Sequence, residues 1–237
     1  MNEPVHFAAS PVASTNAPRP RAANATRTGI VRSRTNDPAR TMAGILDVAT
    51  KEFGEKGLSG ARIDEIAAAT QTSKRMIYYY FGSKDGLYVA VLEEAYRRMR
   101  TIEAQLHLDD LSPQDALRKL VGFTFDHHHD NPDFIRLVMS ENMQRGEYLA
   151  KSNLIQKLNT SVIDTVRKLY ERGLADGVFR AQLDPIDIHA SISALTFYNV
   201  SNRHTFDLIF KRSSHTAKAL AARRANIIET ILRFVLK

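Results

Sequence analysis

The sequence predicts an all-α protein, and three observations lead to that prediction. Apolar residues recur at helical spacing, as at Ile45, Ala49 and Phe53, and do not alternate with polar residues as they would in a strand. Four prolines after residue 37 each follow a residue type that caps helix N-termini. Glycines then mark helix ends, which we place at Gly57, Gly146, Gly173 and Gly177. Together these signals predict about nine helices.

Local chemistry also places the helix starts. Proline suits the first helical position because its missing N–H would be unpaired there, while the preceding Asp, Asn or Ser accepts bonds from free backbone amides. The four pairs are Asp37-Pro38, Ser112-Pro113, Asn131-Pro132 and Asp184-Pro185. The predicted long helices begin near Asp37, Ser83, Ser112, Asn131, Glu147, Asp184 and Thr216, and two short helices lie between Gly57 and Ser83.

Composition excludes several classes of protein. The chain has 237 residues, 43% hydrophobic and 25% charged, which is ordinary for a globular protein. It has no cysteine, so a disulfide framework, a thiol nucleophile and a thiolate zinc site are excluded. Without a long apolar stretch or a secretory signal, we expect a cytoplasmic protein that does not enter the membrane. The net charge of +7 favours polyanionic partners.

Residues 1–36 form a separate basic segment. They contain five arginines, one acidic residue and four prolines, with few large apolar side chains. This composition predicts a disordered tail. Two interpretations stay open: a solubilising leader, or a basic arm that touches nucleic acid when the domain behind it binds.

Residues 62–87 carry the main functional signal. Two short helices are predicted on either side of a turn, with Ile66 on the apolar face of the first and Ile77 on that of the second. Small alanines at 67–69 allow the helices to cross closely, which is helix-turn-helix geometry. Between Ser73 and Lys84 there are three cations and no acid, and cations, phenol hydroxyls and helix N-termini all suit DNA phosphates. Arg75 could also pair with guanine in the major groove.

This segment resembles the DNA-binding domain of the TetR/AcrR family of bacterial transcriptional regulators from Ile45 to Val91. The shared motifs are Ile66-Ala67, a turn before Ser73, Ile77-Tyr78-Tyr79-Tyr80-Phe81, and Ser83-Lys84-Asp85-Gly86-Leu87. The resemblance implies base and groove contacts at Lys74, Arg75, Met76 and Tyr78, phosphate contacts at Arg62, Tyr80 and Lys84, and Ser73 at the start of the recognition helix. Arg62, Gln71 and Thr72 depart from the pattern, replacing a capping Thr, a turn Gly and a small apolar residue. We expect a small strain in the turn.

Behind the tail at 1–36 that composition predicts to be disordered, the resemblance implies a helix-turn-helix domain at 37–82 and a helical effector-binding and dimerisation domain at 83–237. It implies a homodimer formed through the last two helices, a palindromic double-stranded DNA operator, and repression relieved by an unidentified small-molecule effector. Apolar stripes on those helices fit either a dimer interface or the core of one chain. The stripes comprise Ile188, Ile192, Leu195 and Asn199 with Ile227, Ile231 and Phe234.

An effector pocket is predicted between the middle helices, where facing side chains form ligand sites in bundles. The predicted lining is Phe123, Phe134, Leu137, Val138, Met143, Val162, Val166, Phe197 and Tyr198. The run Asp126-His127-His128-His129-Asp130 suggests a metal, but adjacent helical residues are splayed by about 100° and cannot converge on one ion. We expect a solvated or pocket-edge polar patch there, with no metal and no cofactor.

Other functions stay open at this point. The sequence has no nucleophile-base-acid arrangement and no glycine-rich phosphate loop, so we expect no enzyme activity, although an all-α hydrolase is a conceivable alternative. A helical sensor or protein-binding module could keep the motif as scaffold without binding an operator. A non-specific nucleoid binder driven by the arginine-rich tail is a third alternative.

Overall fold

The computed structural model describes residues 37–237, and within them the protein is all-α, as predicted. The predictions for the tail at 1–36 lie outside the described residues. Ten α-helices are present in the described range, one more than predicted: α1 Pro38–Gly60, α2 Ile63–Ala69, α3 Lys74–Phe81, α4 Lys84–Ala104, α5 Pro113–Asp130, α6 Pro132–Met143, α7 Asn153–Ala175, α8 Pro185–Ser201, α9 Arg203–Phe210 and α10 Ala217–Val235. The additional helix is the short α9, which carries no proline or strong cap in the sequence.

Most predicted helix starts are confirmed by their caps. Asp37, Ser112 and Asp184 each accept a hydrogen bond from a backbone amide in the first turn of the helix that follows. Asn131 precedes α6 but does not cap it, because its side-chain amide instead donates to the carbonyl of His127 at 2.8 Å, at the end of α5.

Two predicted boundaries are wrong. The helix expected near Glu147 begins at Asn153, because the Ser152 hydroxyl accepts from the backbone amide of Ile155 at 3.2 Å and so caps that position. Gly173 does not end α7, which continues to Ala175. It is glycine because the Phe179 ring packs against it, and a Cβ there would lie 2.0 Å from a ring atom.

Buried apolar side chains form three clusters. The first joins α1 to α4 and includes Ile45, Phe53, Ile66 and Ile77. The second joins α5, α7, α8 and α10, and the third is small and includes Met99 and Phe134. The first cluster also takes in Leu137 and Ile155 from α6 and α7, so the helix-turn-helix is braced by the rest of the chain.

The second cluster decides between the two interpretations of the apolar stripes. Ile188, Ile192, Ile227 and Ile231 are at most 2% exposed and pack together within one chain. These four residues are therefore intrachain core.

Within residues 37–237, no helix combines the length and the apolar character needed to cross a membrane.

Candidate nucleic-acid interface

Helix α3 is held against the first cluster by one fully buried side chain. Ile77 is 0% exposed, and the helix is only eight residues long, so packing rather than intrinsic propensity stabilises it. The Ser73 hydroxyl accepts from the backbone amide of Met76 at 3.2 Å and starts the helix. At the other end, Gly82 has a φ of 74° and turns the chain into α4.

The turn before α3 contains the strain expected from the sequence. Gln71 has a φ of 51°, in the left-handed region that favours glycine. Backbone amides of Gln71 and Thr72 nevertheless donate to the carbonyls of Ala68 and Ala67, so the turn is closed by hydrogen bonds.

The outward face of α3 presents cations and phenols. Lys74, Arg75, Tyr78 and Tyr79 are exposed, and Tyr79 has the larger exposed fraction of the two tyrosines at 78%. By contrast, Met76, expected to face outward, is only half-exposed.

Tyr80 is half-buried and packs against the first cluster, with its ring edge-on to those of Tyr79 and Phe81. Tyr79 was absent from the predicted contact set, although its exposure makes it as available to a ligand as Tyr78.

The segment from Ser73 to Lys84 contains no acid in sequence, but in the folded chain an acid from α2 lies beside its cations. This finding corrects the sequence analysis. Asp64, in the first turn of α2, lies 2.7 Å from the Lys74 ammonium and 3.8 Å from the Arg62 guanidinium. The pKa of Asp64 is lowered, chiefly by the hydrogen bond from Lys74. The crossing of α2 and α3 brings these groups together, so a run of sequence without acids did not reveal the pairing.

The remaining two cations differ in their surroundings. The Lys84 ammonium donates to the carbonyl of Ser59 at 3.4 Å, which ties it to the end of α1. Arg75 has no carboxylate partner within residues 37–237. Arg75 is therefore the recognition-helix cation that needs to break no ion pair within this part of the chain to reach a ligand.

We expect Asp64→Asn to strengthen binding to duplex DNA of any sequence. The substitution releases Lys74 and Arg62 to phosphates, and each added phosphate contact steepens the salt dependence of log K by about one. Fluorescence anisotropy with labelled duplex at several salt concentrations measures this slope. Asp47→Asn, which removes an acid paired with Arg98 of α4, is the matched control, and equal effects of the two changes would contradict the assignment.

The residues of the predicted effector pocket do not share one cavity. Phe134, Val138 and Phe197 come together at the third cluster, and the Phe123 ring lies beside His127. Leu137 belongs to the first cluster and Val166 to the second, so both are core residues.

The other three lie apart. Val162 lines a cavity of about 380 Å³ beside Arg100, and Tyr198 lines one of about 510 Å³ between α8 and α10. Met143 is 84% exposed and is the last residue of α6. Its side chain is therefore exposed in one chain, and its predicted place in a pocket wall stays a prediction.

Two of the three histidines in the run are buried, so the solvated half of the prediction is wrong for them, while the pocket-edge half stays a prediction. His127 and His128 are 8% and 4% exposed, and their rings pack against Phe134, while the His128 ring also lies edge-on to Phe197. Their Nδ1 atoms, together with the Nε of Arg100, have no hydrogen-bond partner in the described part of the chain. No group of three or more His, Cys, Asp or Glu residues within 37–237 is placed to hold a metal ion.

Burial of these imidazoles predicts acid sensitivity. The pKa of His128 is lowered to about 3 by burial and by the neighbouring His127, Arg100 and His189, and the pKa values of His127 and His189 are also lowered, mainly by burial. The unfolded chain therefore binds these protons more readily. The neutral, buried histidines therefore support the folded state fully above about pH 6.5. Below that pH, the free energy of unfolding falls by up to about 1.4 kcal/mol per pH unit for each histidine.

Urea unfolding at pH 7.5, 6.5 and 5.5 tests this expectation. His128→Phe, which suits the aromatic neighbours, should flatten the dependence, whereas the exposed His204→Gln should leave it unchanged. A stability that stays constant from pH 7.5 to 5.5 in the unmodified chain would contradict it.

Two family descriptions match the chain. Residues 45–91 match the bacterial regulatory proteins of the tetR family, and residues 113–231 match the tetracyclin repressor-like C-terminal domain. The HTH-type transcriptional repressor NicS of Pseudomonas putida is 36% identical over 84% of this chain and 90% of its own length.

Solved structures share the fold. A regulatory protein of the tetR family from Rhodococcus RHA1 superposes with a TM-score of 0.64 at 23% identity, covering 83% of this chain and 97% of that one. The fatty acid degradation regulator FadR from Bacillus halodurans gives the same TM-score at 19% identity, covering 81% of this chain and 94% of its own.

Proposed function

We infer the function of this chain from its family: the chain belongs to the TetR family of bacterial regulatory proteins. It is a transcriptional regulator with a DNA-binding helix-turn-helix domain. We propose that it acts in the cytoplasm as a homodimeric repressor on a palindromic operator and that a small-molecule effector releases it. The description of NicS as a transcriptional repressor supports the sign of regulation.

The observation that carries this proposal is the exposed row of Lys74, Arg75 and Tyr78 on a short helix seated by Ile77. A helix of this kind fits the major groove, where side chains from its N-terminal part reach base edges. In our proposal Arg75 reads bases and Lys84 and Arg62 contact phosphates. The domain boundary would then fall in the turn between α3 and α4.

The proposed dimer uses the outward faces of α8 and α10. Ile186, Ala190 and Ala194 are exposed at successive turns of α8, and Ala221 and Ala225 are exposed on α10. Small residues let helices approach closely, and a two-fold arrangement would form a four-helix bundle. Two recognition helices would then enter successive major grooves about 34 Å apart.

The proposed effector pocket surrounds the third cluster. Phe134 and Phe197 supply apolar walls, while the unpaired nitrogens of Arg100, His127 and His128 supply polar groups that a ligand could satisfy. The ligand must bind the state that does not fit the operator better than the state that does. A coupling of about 1–3 kcal/mol would change operator affinity roughly 5- to 150-fold.

Genome-wide recovery of bound DNA fragments, combined with light scattering on the purified protein, tests the proposal. We expect a dimer and palindromic fragments with half-sites about one helical turn apart. A monomer, or a failure to bind any recovered fragment at low salt, would overturn it. Binding of small molecules without any DNA binding would favour a sensor module instead.

A variant lacking residues 1–36 distinguishes the proposed regulator from the remaining alternative, a non-specific nucleoid binder. A nucleoid binder driven by the arginine-rich tail would lose all DNA binding on this truncation. A regulator that reads its operator through α3 would bind more weakly and keep its sequence preference.

A further inference from the structure

Outside the proposed DNA and effector sites, a cavity of about 510 Å³ is bounded by α8, α9 and α10. This volume lies within the range of about 300–1,000 Å³ that is usual for small-molecule sites. Its walls belong partly to α9, the additional helix that the sequence did not predict, and to the loop that follows it.

Three arginines converge on this cavity. Arg203 comes from the start of α9, Arg212 from the loop and Arg223 from α10. No acidic side chain is among the cavity's described lining residues, and none of the three arginines pairs with a carboxylate within residues 37–237. Arg203 makes its one side-chain hydrogen bond in that range to an imidazole, that of His204, at 3.2 Å.

Asp207, four residues after Arg203 on α9, pairs with the following loop and not with the arginines. The Asp207 carboxylate of α9 accepts from the backbone amide of Ser214 at 3.2 Å and lies 3.2 Å from the His215 imidazole. These contacts join α9 to the loop that carries Arg212. Within residues 37–237, the Asp207 carboxylate therefore forms no ion pair with the three arginines.

The rest of the lining is suited to an organic ligand. Phe206 and Tyr198 face the cavity with their rings 6.5 Å apart and nearly perpendicular. Asn199, Asn202 and Asn226 add amide groups that can donate or accept. Guanidinium groups pair with the planar oxygens of carboxylates and phosphates, and aromatic rings pack against a flat apolar body.

We propose that the cavity between α8, α9 and α10 binds a small aromatic anion, a carboxylate or a phosphate ester. The site shares Tyr198 with the predicted lining of the pocket among the middle helices and none of that pocket's other residues. It adjoins the faces of α8 and α10 proposed for dimerisation, so an occupant can influence how two chains associate. Anion binding here does not require that the chain binds an operator.

Isothermal calorimetry on the full chain without DNA tests the proposal. Phenyl phosphate and benzoate serve as probes, inorganic phosphate supplies the charge alone and phenol the ring alone. We expect at least one aromatic anion to bind about tenfold or more tightly than both inorganic phosphate and phenol, because only it engages arginines and rings together. The preferred probe then distinguishes a carboxylate site from a phosphate site.

Arg223→Met should weaken that binding by about tenfold or more, the usual effect of losing a charge-assisted hydrogen bond. Arg233→Met is the matched control. Arg233 lies on the same helix, is exposed and does not line the cavity, and its guanidinium pairs with the Glu229 carboxylate at 2.6 Å. Phe206→Ala provides a second variant that keeps every charge and should also weaken binding.

Two outcomes would overturn the proposal. The first is that the aromatic anions bind no more tightly than inorganic phosphate, or that the Arg223→Met and Arg233→Met variants bind the preferred anion equally well. The other is a change in the monomer–dimer equilibrium of Arg223→Met without any probe binding to the unmodified chain, which would mean that the arginines meet a second copy. Operator binding, measured separately, reports on the proposed regulatory function and not on this site.

Discussion

Replacing Gly86 with alanine should displace the recognition helix and remove most operator binding. A Cβ at this position would lie 2.1 Å from the carbonyl oxygen of Phe81, the last residue of α3, and 3.5 Å from the hydroxyl of Ser83. The same carbonyl accepts from the backbone amide of Ser83 at 2.8 Å, so it belongs to the turn that joins α3 to α4. The backbone must therefore shift at the turn that joins α3 to α4, and a shift there moves the end of α3.

We expect a stability loss of about 1–3 kcal/mol, the usual cost of overpacking. The loss of operator affinity should exceed that of removing any single side-chain contact, since all contacts of α3 move together. Gly44→Ala is the matched control, because Gly44 is exposed on α1 and an added methyl group would have no heavy atom of the described residues within 4 Å. That change should stabilise the chain by about 0.5–1 kcal/mol.

Denaturant unfolding and duplex binding of both variants measure these effects. Operator affinity of Gly86→Ala within threefold of the unmodified chain would show that the close approach to Phe81 does not position α3.

Arg75→Ala should reduce discrimination between operator and unrelated DNA by about 1–3 kcal/mol, the value of a bidentate contact with guanine. Arg75 is exposed and has no carboxylate partner within residues 37–237, so the substitution removes a contact with DNA without disrupting an ion pair there. Binding to unrelated DNA should change little.

Lys84→Ala should behave differently. Its ammonium sits over the carbonyl of Ser59 at the edge of the domain, a place suited to a phosphate contact. We expect weaker binding to all sequences and a salt slope lower by about one. Competition assays with operator and scrambled duplex at several salt concentrations separate the two roles, and equal losses of specificity in both variants would contradict the assignment.

The fold was predictable because its signals are local. Prolines after Asp37, Ser112 and Asp184 mark helix starts through bonds made within one turn, and helical periodicity marks the buried faces. The recognition helix was predictable for the same reason. Ser73 caps it, and Ile77, only four residues later, is its buried contact with the core.

Tertiary packing decided the features that join distant segments. The crossing of α2 and α3 pairs Lys74 with Asp64, and the packing of Phe179 explains Gly173. The fold also buries His128, where the sequence left a solvated or a pocket-edge patch open. The arginines around the cavity converge because of α9, which no local signal indicated. Local sequence specifies where helices start and which helix faces are apolar, because the free energies of capping and of helix formation depend on residues close in the chain. Which charges meet and which side chains lose water depends on how the helices pack, so only the folded chain determines it.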